Sequence, residues 1–144
     1  PKAGAVLGPW QGTEFYVNTG YGFHSNDARG ATITRDPKTG DPADPVTPLV
    51  RAVGSEVGAR TVAIPHLQSS VSLWTLGLAS ELRFFGDAGA TEATRPSRRW
   101  GVEFTNYYSP LRWLTFDADV AWSRARFTDD DPAGRFIPGA VNTV

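Results

Sequence analysis

Apolar side chains recur at every second position over several stretches of this chain, and clusters of Gly, Pro, Asp and Asn separate those stretches. Successive side chains of an extended strand point to opposite faces, so a period of two predicts strands with one apolar and one polar face. The clearest run is Thr13 to His24. Phe15, Val17, Thr19, Tyr21 and Phe23 fall on one face, and Glu14, Tyr16, Asn18, Gly20, Gly22 and His24 on the other. A second strand is expected over Val50 to Thr61, with Val53, Ser55, Val57 and Ala59 opposite Gly54, Glu56, Gly58 and Arg60. Ser70 to Phe85 predicts a third, setting Trp74, Leu76, Leu78, Leu82 and Phe84 against Thr75, Gly77, Ala79, Glu81 and Arg83. In the fourth, Arg99 to Ser109, Trp100, Val102, Phe104 and Tyr108 oppose Gly101, Glu103, Thr105 and Tyr107. In the fifth, Trp113 to Arg124, Leu114, Phe116, Ala118, Val120 and Trp122 oppose Thr115, Asp117, Asp119, Ala121 and Ser123. A sixth strand is expected to start near Val141. No stretch shows a convincing helical period, so the expected class is all-β, an antiparallel meander of long strands.

Alternation does not say what the apolar face touches. A sandwich strand buries that face in a core, and a membrane barrel strand shows it to lipid. The spacing of the expected strands favours lipid. Long polar connections, Ser25 to Leu49, Gly86 to Arg98 and Phe127 to Pro138, alternate with short ones around Pro65-His66-Leu67 and Pro110-Leu111-Arg112. Long loops at one end and short turns at the other are what outer-membrane barrels have, whereas a soluble sandwich has no reason to keep that asymmetry. Phe23, Trp74, Phe84, Trp100, Tyr108 and Trp122 gather near strand ends, as interfacial aromatic girdles do. The expected polar faces carry Glu14, Glu81, Arg83, Glu103, Asp117 and Asp119, which suits a wet or plugged lumen. The runner-up is a soluble β-sandwich or jelly-roll binding module.

Composition narrows the function. The 144 residues suffice for one domain, and the net charge of -1 implies no pull toward nucleic acid or anionic lipid. Without Cys there is no disulfide and no thiolate metal site. No apolar run approaches the ~20 residues of a spanning helix. Pro1-Lys2-Ala3-Gly4 has no signal-peptide pattern and no initiating Met, so a mature chain or an internal piece is expected.

Candidate chemistry is sparse. His24 and His66 lack partners at metal-ligand spacing, and no catalytic set or cofactor motif is evident. Val53-Gly54-Ser55-Glu56 misplaces the second glycine of a nucleophile elbow. Asp129-Asp130-Asp131 lacks the ligand spacing of a calcium loop and is expected to be a solvated acidic loop. Gly20 and Gly22 suit close backbone packing, since no helix follows to cradle a phosphate.

Gly20-Tyr21-Gly22-Phe23-His24-Ser25-Asn26-Asp27-Ala28-Arg29-Gly30 resembles the strand-to-loop signature of TonB-dependent outer-membrane receptors, where Gly-aromatic-Gly-Phe-His runs through Asn-Asp-Ala-Arg into an extracellular loop. Val50 to Gly58, Leu73 to Leu82, Arg95 to Glu103, Phe127 to Gly134 and Ile137 to Ala140 resemble successive later parts of the same barrel. The likeness spans nearly the whole chain, residues 1–144. It implies a barrel of about 22 strands around a plug, importing a scarce nutrient (a siderophore, cobalamin or oligosaccharide) with energy drawn through the TonB complex. It implies outer-membrane lipid, the remaining barrel strands, the plug and the TonB complex as partners. His24, Asn26, Asp27 and Arg29 then become the ligand-side loop candidates. The chain has no recognisable plug or TonB-contacting box, and Asn142-Thr143-Val144 is not an aromatic-ended terminal strand, so a middle or late barrel segment is expected. A diffusion porin segment is the other membrane reading.

Overall fold

A computed structural model of the chain describes residues 1–25, 28–36, 38–80, 82–85, 90–93 and 95–137, without the side chains of 29, 82–85 and 90–93. The strands are β1 (Lys2–Trp10), β2 (Thr13–Ser25), β3 (Leu49–Thr61), β4 (Leu67–Leu78), β5 (Leu82–Phe85), β6 (Ala90–Ala93), β7 (Ser97–Leu111) and β8 (Leu114–Phe127). One short helix, α1 (Ala28–Thr32), follows β2. Six strands form a single antiparallel sheet in the order β1-β2-β3-β4-β7-β8, while β5 and β6 pair as a separate hairpin. The fold is therefore an all-β meander, and β1 and β8 are the edges of an open sheet.

Local chemistry places the turns. Gln11 and Gly12 join β1 to β2 with both φ angles positive (49° and 76°), the two-residue geometry whose twist matches a hairpin. β3 and β4 are joined by residues 62–66, where the Leu67 N–H donates to the Ile64 carbonyl at 3.1 Å. Arg112 and Trp113 join β7 to β8. These three short turns share one end of the sheet. Residues 26–48 and 79–96, and the chain after Phe127, all leave from the other end.

Cross-strand register fixes the faces, because directly opposed residues point the same way. One row reads Leu7, Phe15, Ala59, Val71, Phe104, Val120, and the next Ala5, Val17, Val57, Leu73, Val102, Trp122. The opposite face carries Glu14, Tyr16, Glu56, Arg60, Ser72, Trp74, Glu103, Asp117 and Asp119. Among the described strands of the sheet, the apolar face contains no carboxylate.

Four expectations need correction. A strand not anticipated, β1, precedes the first expected one; the proposed strand near Val141 lies outside the described residues. The single strand expected over Ser70 to Phe85 is two, β4 and β5. The phase of β4 is also reversed: Trp74, Leu76 and Leu78 lie on the polar face, opposite Glu56, Gly54 and Ala52. Apolar residues occupy both parities of β4, with Val71 and Leu73 on the odd set, so its own sequence leaves the phase open. Pairing with β3 and β7 decides it. The tight turn after β7 moves on by one residue, leaving Pro110 inside the strand at a register shift between Tyr108 and Leu111.

Little is buried. No large side chain is fully enclosed among the described residues, and the core is limited to Val50, Ala125, Phe127 and Ile137. In the central strands, Val57 is 51% and Leu73 53% exposed, whereas Ser72 on the polar face is 7% exposed. In these central strands the apolar face is thus the more exposed one. Each Val, Leu or Phe of that face would gain about 1.5–3 kcal/mol by leaving water completely.

The apolar zone crosses the register rows on a slant. On β2 it runs from Phe15 to Phe23; on β8 it runs from Phe116 to Trp122. The row through Phe15 reaches β8 at Val120, four residues from Phe116. Extended by its flanking backbone bonds, the row through Phe23 passes Arg51 and Ala79 to reach Thr128, six residues from Trp122. From β2 to β8 both limits end nearer the short turns, the upper one moving progressively and the lower one dropping between β3 and β4 and then following the row Leu67–Tyr108–Phe116.

Candidate functional site

The polar face carries two hollows. One, of about 680 Å³, is bounded by Lys2, Asn18, Gly54, Glu56, Trp74 and Leu76. The other, of about 590 Å³, lies nearer the short turns against Glu14, Arg60, Gln68, Ser70, Thr105 and Tyr107. Glycines make the room. Trp74 lies across Gly101, where a Cβ would stand 2.8 Å from Cζ2, and Tyr16 covers Gly58, where a Cβ would stand 2.5 Å from Cζ. The buried Nε1 of Trp74 hydrogen-bonds no acceptor among the described residues.

Polar side chains on this face pair across strands. Arg60 Nε donates to Glu14 Oε2 at 2.6 Å, and the Tyr16 hydroxyl donates to Glu56 Oε1 at 3.1 Å. With Arg60 largely exposed, the first pair contributes at most about 1 kcal/mol. Toward the β8 edge, Asp117 opposes Tyr107, Asp119 opposes Thr105, and Glu103 opposes Ala121. The surface is an acidic, aromatic-bearing polar wall.

Sequence-predicted candidates divide by position. Glu14, Glu103, Asp117 and Asp119 all lie on the polar face, where alternation placed them. His24 sits near the end of β2 on the same face, its ring nitrogens 3.4 Å from the Ser25 and Ser80 carbonyls. Neutral imidazole has one N–H, so only one of these contacts is a hydrogen bond at a time. The ring ties the end of β2 to the chain leaving β4. Arg29 lies in α1 with its side chain outside the described residues, as is that of Arg83 in β5; Asn26, Asp27 and Glu81 lie outside them altogether. His24 and Glu14 occupy opposite ends of one strand, about 33 Å apart at ordinary strand rise, so they belong to no common pocket.

Several serine and threonine hydroxyls of the apolar face find partners on their own strands or across them. Thr19 and Ser55 oxygens lie 2.9 Å apart, those of Thr13 and Thr61 2.8 Å apart, and Thr75 donates to the Arg99 carbonyl at 3.2 Å. Ser55 is thereby placed mid-strand and occupied, with no elbow around it.

A cluster that the sequence did not announce sits at the long-loop end. Arg95 Nε donates to both carboxylate oxygens of Asp129, at 2.8 and 2.6 Å, and its Nη1 to the Gly134 carbonyl at 2.8 Å. The guanidinium also lies 4.6 Å from the centre of the Phe127 ring. Hydrogen bonding from Arg95 holds the Asp129 carboxyl below the usual carboxylate range, and reciprocally raises the Arg95 guanidinium above its ordinary value. Asp130 pairs with Arg135, and Asp131 Oδ1 accepts the Ala133 N–H at 2.7 Å. The acidic run is therefore an exposed loop, cross-linked by Arg95 and Arg135. In the first long loop the Asp36 carboxylate accepts the Lys38 and Thr39 N–H groups at 2.7 and 3.1 Å, which lowers its pKa. No sequence signal identifies Arg95, because its partner is 34 residues away.

Compared with protein-family models and with curated proteins, the sequence matches none.

Proposed function

We propose that this chain forms part of the wall of an outer-membrane β-barrel, its apolar face against lipid and its polar face toward the lumen. The observation that carries this reading is the slant of the apolar zone. A shift of four to six residues over the four steps from β2 to β8 is about 1–1.5 residues per step. With about 3.3 Å of rise per residue and about 4.8 Å between strands, that corresponds to a tilt of about 35–45°. Barrel strands cross a membrane at about that angle, and a level apolar belt on tilted strands must cross the register rows diagonally. From Phe15 to Phe23 the zone on β2 is close to the ~9–11 residues a tilted strand needs. Paired hydroxyls on the apolar face suit a medium without water.

Within that class, the resemblance of Gly20 to Gly30 and the later segments supports a TonB-dependent receptor importing a siderophore, cobalamin or an oligosaccharide. The acidic and aromatic polar face would meet the plug, with no catalytic role and no cofactor. The parent reading frame should then encode a plug and a TonB-contacting box upstream. Polarised infrared dichroism of the protein in oriented bilayers tests the wall itself. A strand tilt near 40° to the membrane normal is expected; strands lying flat, or a protein that stays monomeric in buffer without detergent, would overturn it.

A further inference from the structure

The upper limit of the apolar zone is lined by arginines. On β3 the next residue of that face beyond Val53 is Arg51; on β7 Arg98 follows Trp100; on β8 Arg124 and Arg126 follow Trp122. All four are exposed and lie toward the long loops. Arg51, Arg98 and Arg124 follow the same diagonal as the aromatic boundary, so on a tilted sheet they share one level, and Arg126 lies one row beyond Arg124 on β8. At the short-turn end the same face ends in Thr13, Thr61, Leu67, Tyr108 and Phe116 and carries no cation.

Arg98 and Arg126 are direct cross-strand partners, and Arg124 opposes Trp100 one row away. Like charges set directly opposite repel. No carboxylate on this face of the described strands relieves them, since Glu14, Glu56, Glu103, Asp117 and Asp119 all point the other way. Arg126 lies 5.6 Å from the Phe136 ring centre, which leaves its charge uncompensated. Such a row calls for an external anion, and guanidinium groups present paired donors suited to phosphate. A membrane supplies phosphate at this level, directly beside the hydrocarbon.

We propose that Arg51, Arg98, Arg124 and Arg126 form a rim that binds the phosphate-bearing headgroups of anionic lipid in the leaflet on the long-loop side. The proposal rests on the barrel-wall reading. Charge complementarity selects this occupant, with Trp100 and Trp122, packed edge-on at 4.7 Å, as an apolar shelf for the upper acyl chain.

The chain has no cysteine, so Gly77→Cys attaches one fluorophore in the rim. Gly77 lies between Val53 and Arg98, and a Cβ there meets nothing closer than 3.9 Å. The labelled full chain is reconstituted in phosphatidylcholine vesicles containing acyl-brominated phosphatidylglycerol or acyl-brominated phosphatidylcholine. Stronger quenching by the anionic lipid is expected. Its relative association should fall about five-fold for each of Arg98→Gln, Arg124→Gln and Arg126→Gln, and return with lysine at the same positions. Equal quenching by both lipids, or a preference that survives the triple glutamine variant, overturns the rim while the barrel wall stands. Quenching by neither overturns both.

Discussion

Trp74 rests on Gly101 across the β4–β7 ladder, and the fit leaves no room for a methyl group. A Cβ at Gly101 would stand 2.6 Å from the Trp122 carbonyl oxygen as well as 2.8 Å from the indole. The first of these is backbone and cannot swing aside. Gly101→Ala is therefore expected to destabilise the sheet by about 1–3 kcal/mol, the usual cost of overpacking. Urea unfolding of the reconstituted protein, followed by Trp fluorescence, measures it. Gly77→Ala, which meets only ordinary contacts, is the matched control.

The phase of β4 shows where sequence reasoning stops. For β2, β3, β7 and β8 one parity is clearly more apolar, and the structure has each on the expected face. In β4 both parities qualify, and the deciding facts are glycines in other strands: Gly54 beneath Leu76 and Gly101 beneath Trp74. β1 was illegible for a related reason. Ala3, Ala5 and Leu7 against Lys2, Gly4 and Val6 offer little contrast, and pairing with β2 supplies what the strand lacks. The polar-face carboxylates were legible because parity alone places them. The Arg95 cluster was not, because its geometry depends on how two distant loops meet.

If the apolar face meets lipid, a charge there carries a penalty that water would not impose. Leu73→Arg, mid-strand on β4, is expected to cost about 2–4 kcal/mol in bilayers. Thr105→Arg, on the polar face, should be tolerated within about 0.5 kcal/mol. Reversible folding into lipid vesicles measures both. Equal small effects at the two positions would remove the lipid assignment.

Acid should loosen one loop before the sheet. Because Arg95 depresses the Asp129 pKa, the contribution of this pair is complete above the ordinary Asp value of about 3.9 and is lost as pH falls through the lower folded value. Protection of the Thr128 and Gly134 amides against hydrogen exchange, taken relative to the intrinsic rate at each pH, should fall below about pH 4, since their N–H groups donate to the Pro96 and Asp131 carbonyls. Asp129→Asn should show fast exchange at neutral pH and no acid step. An acid step that persists in this variant would assign it elsewhere.

At the first hairpin, Gly12 holds a φ of +76°, and a Cβ would stand 3.2 Å from the Ala63 nitrogen. Gly12→Val should cost about 1–3 kcal/mol. Gln11→Asn, whose residue type favours the positive φ of 49° at that position, should be neutral or mildly stabilising. Thermal unfolding of the two variants side by side tests the contrast.

Since both long connections between strands of the sheet leave one end of it, segments inserted there need not disturb any strand register. Loop closure grows only slowly more unfavourable with length, by about 0.6 kcal/mol per doubling. Loops at that end can therefore change length by insertion and deletion while the strands stay fixed, and a chimera exchanging residues 33–48 for a foreign segment should keep the same ladder.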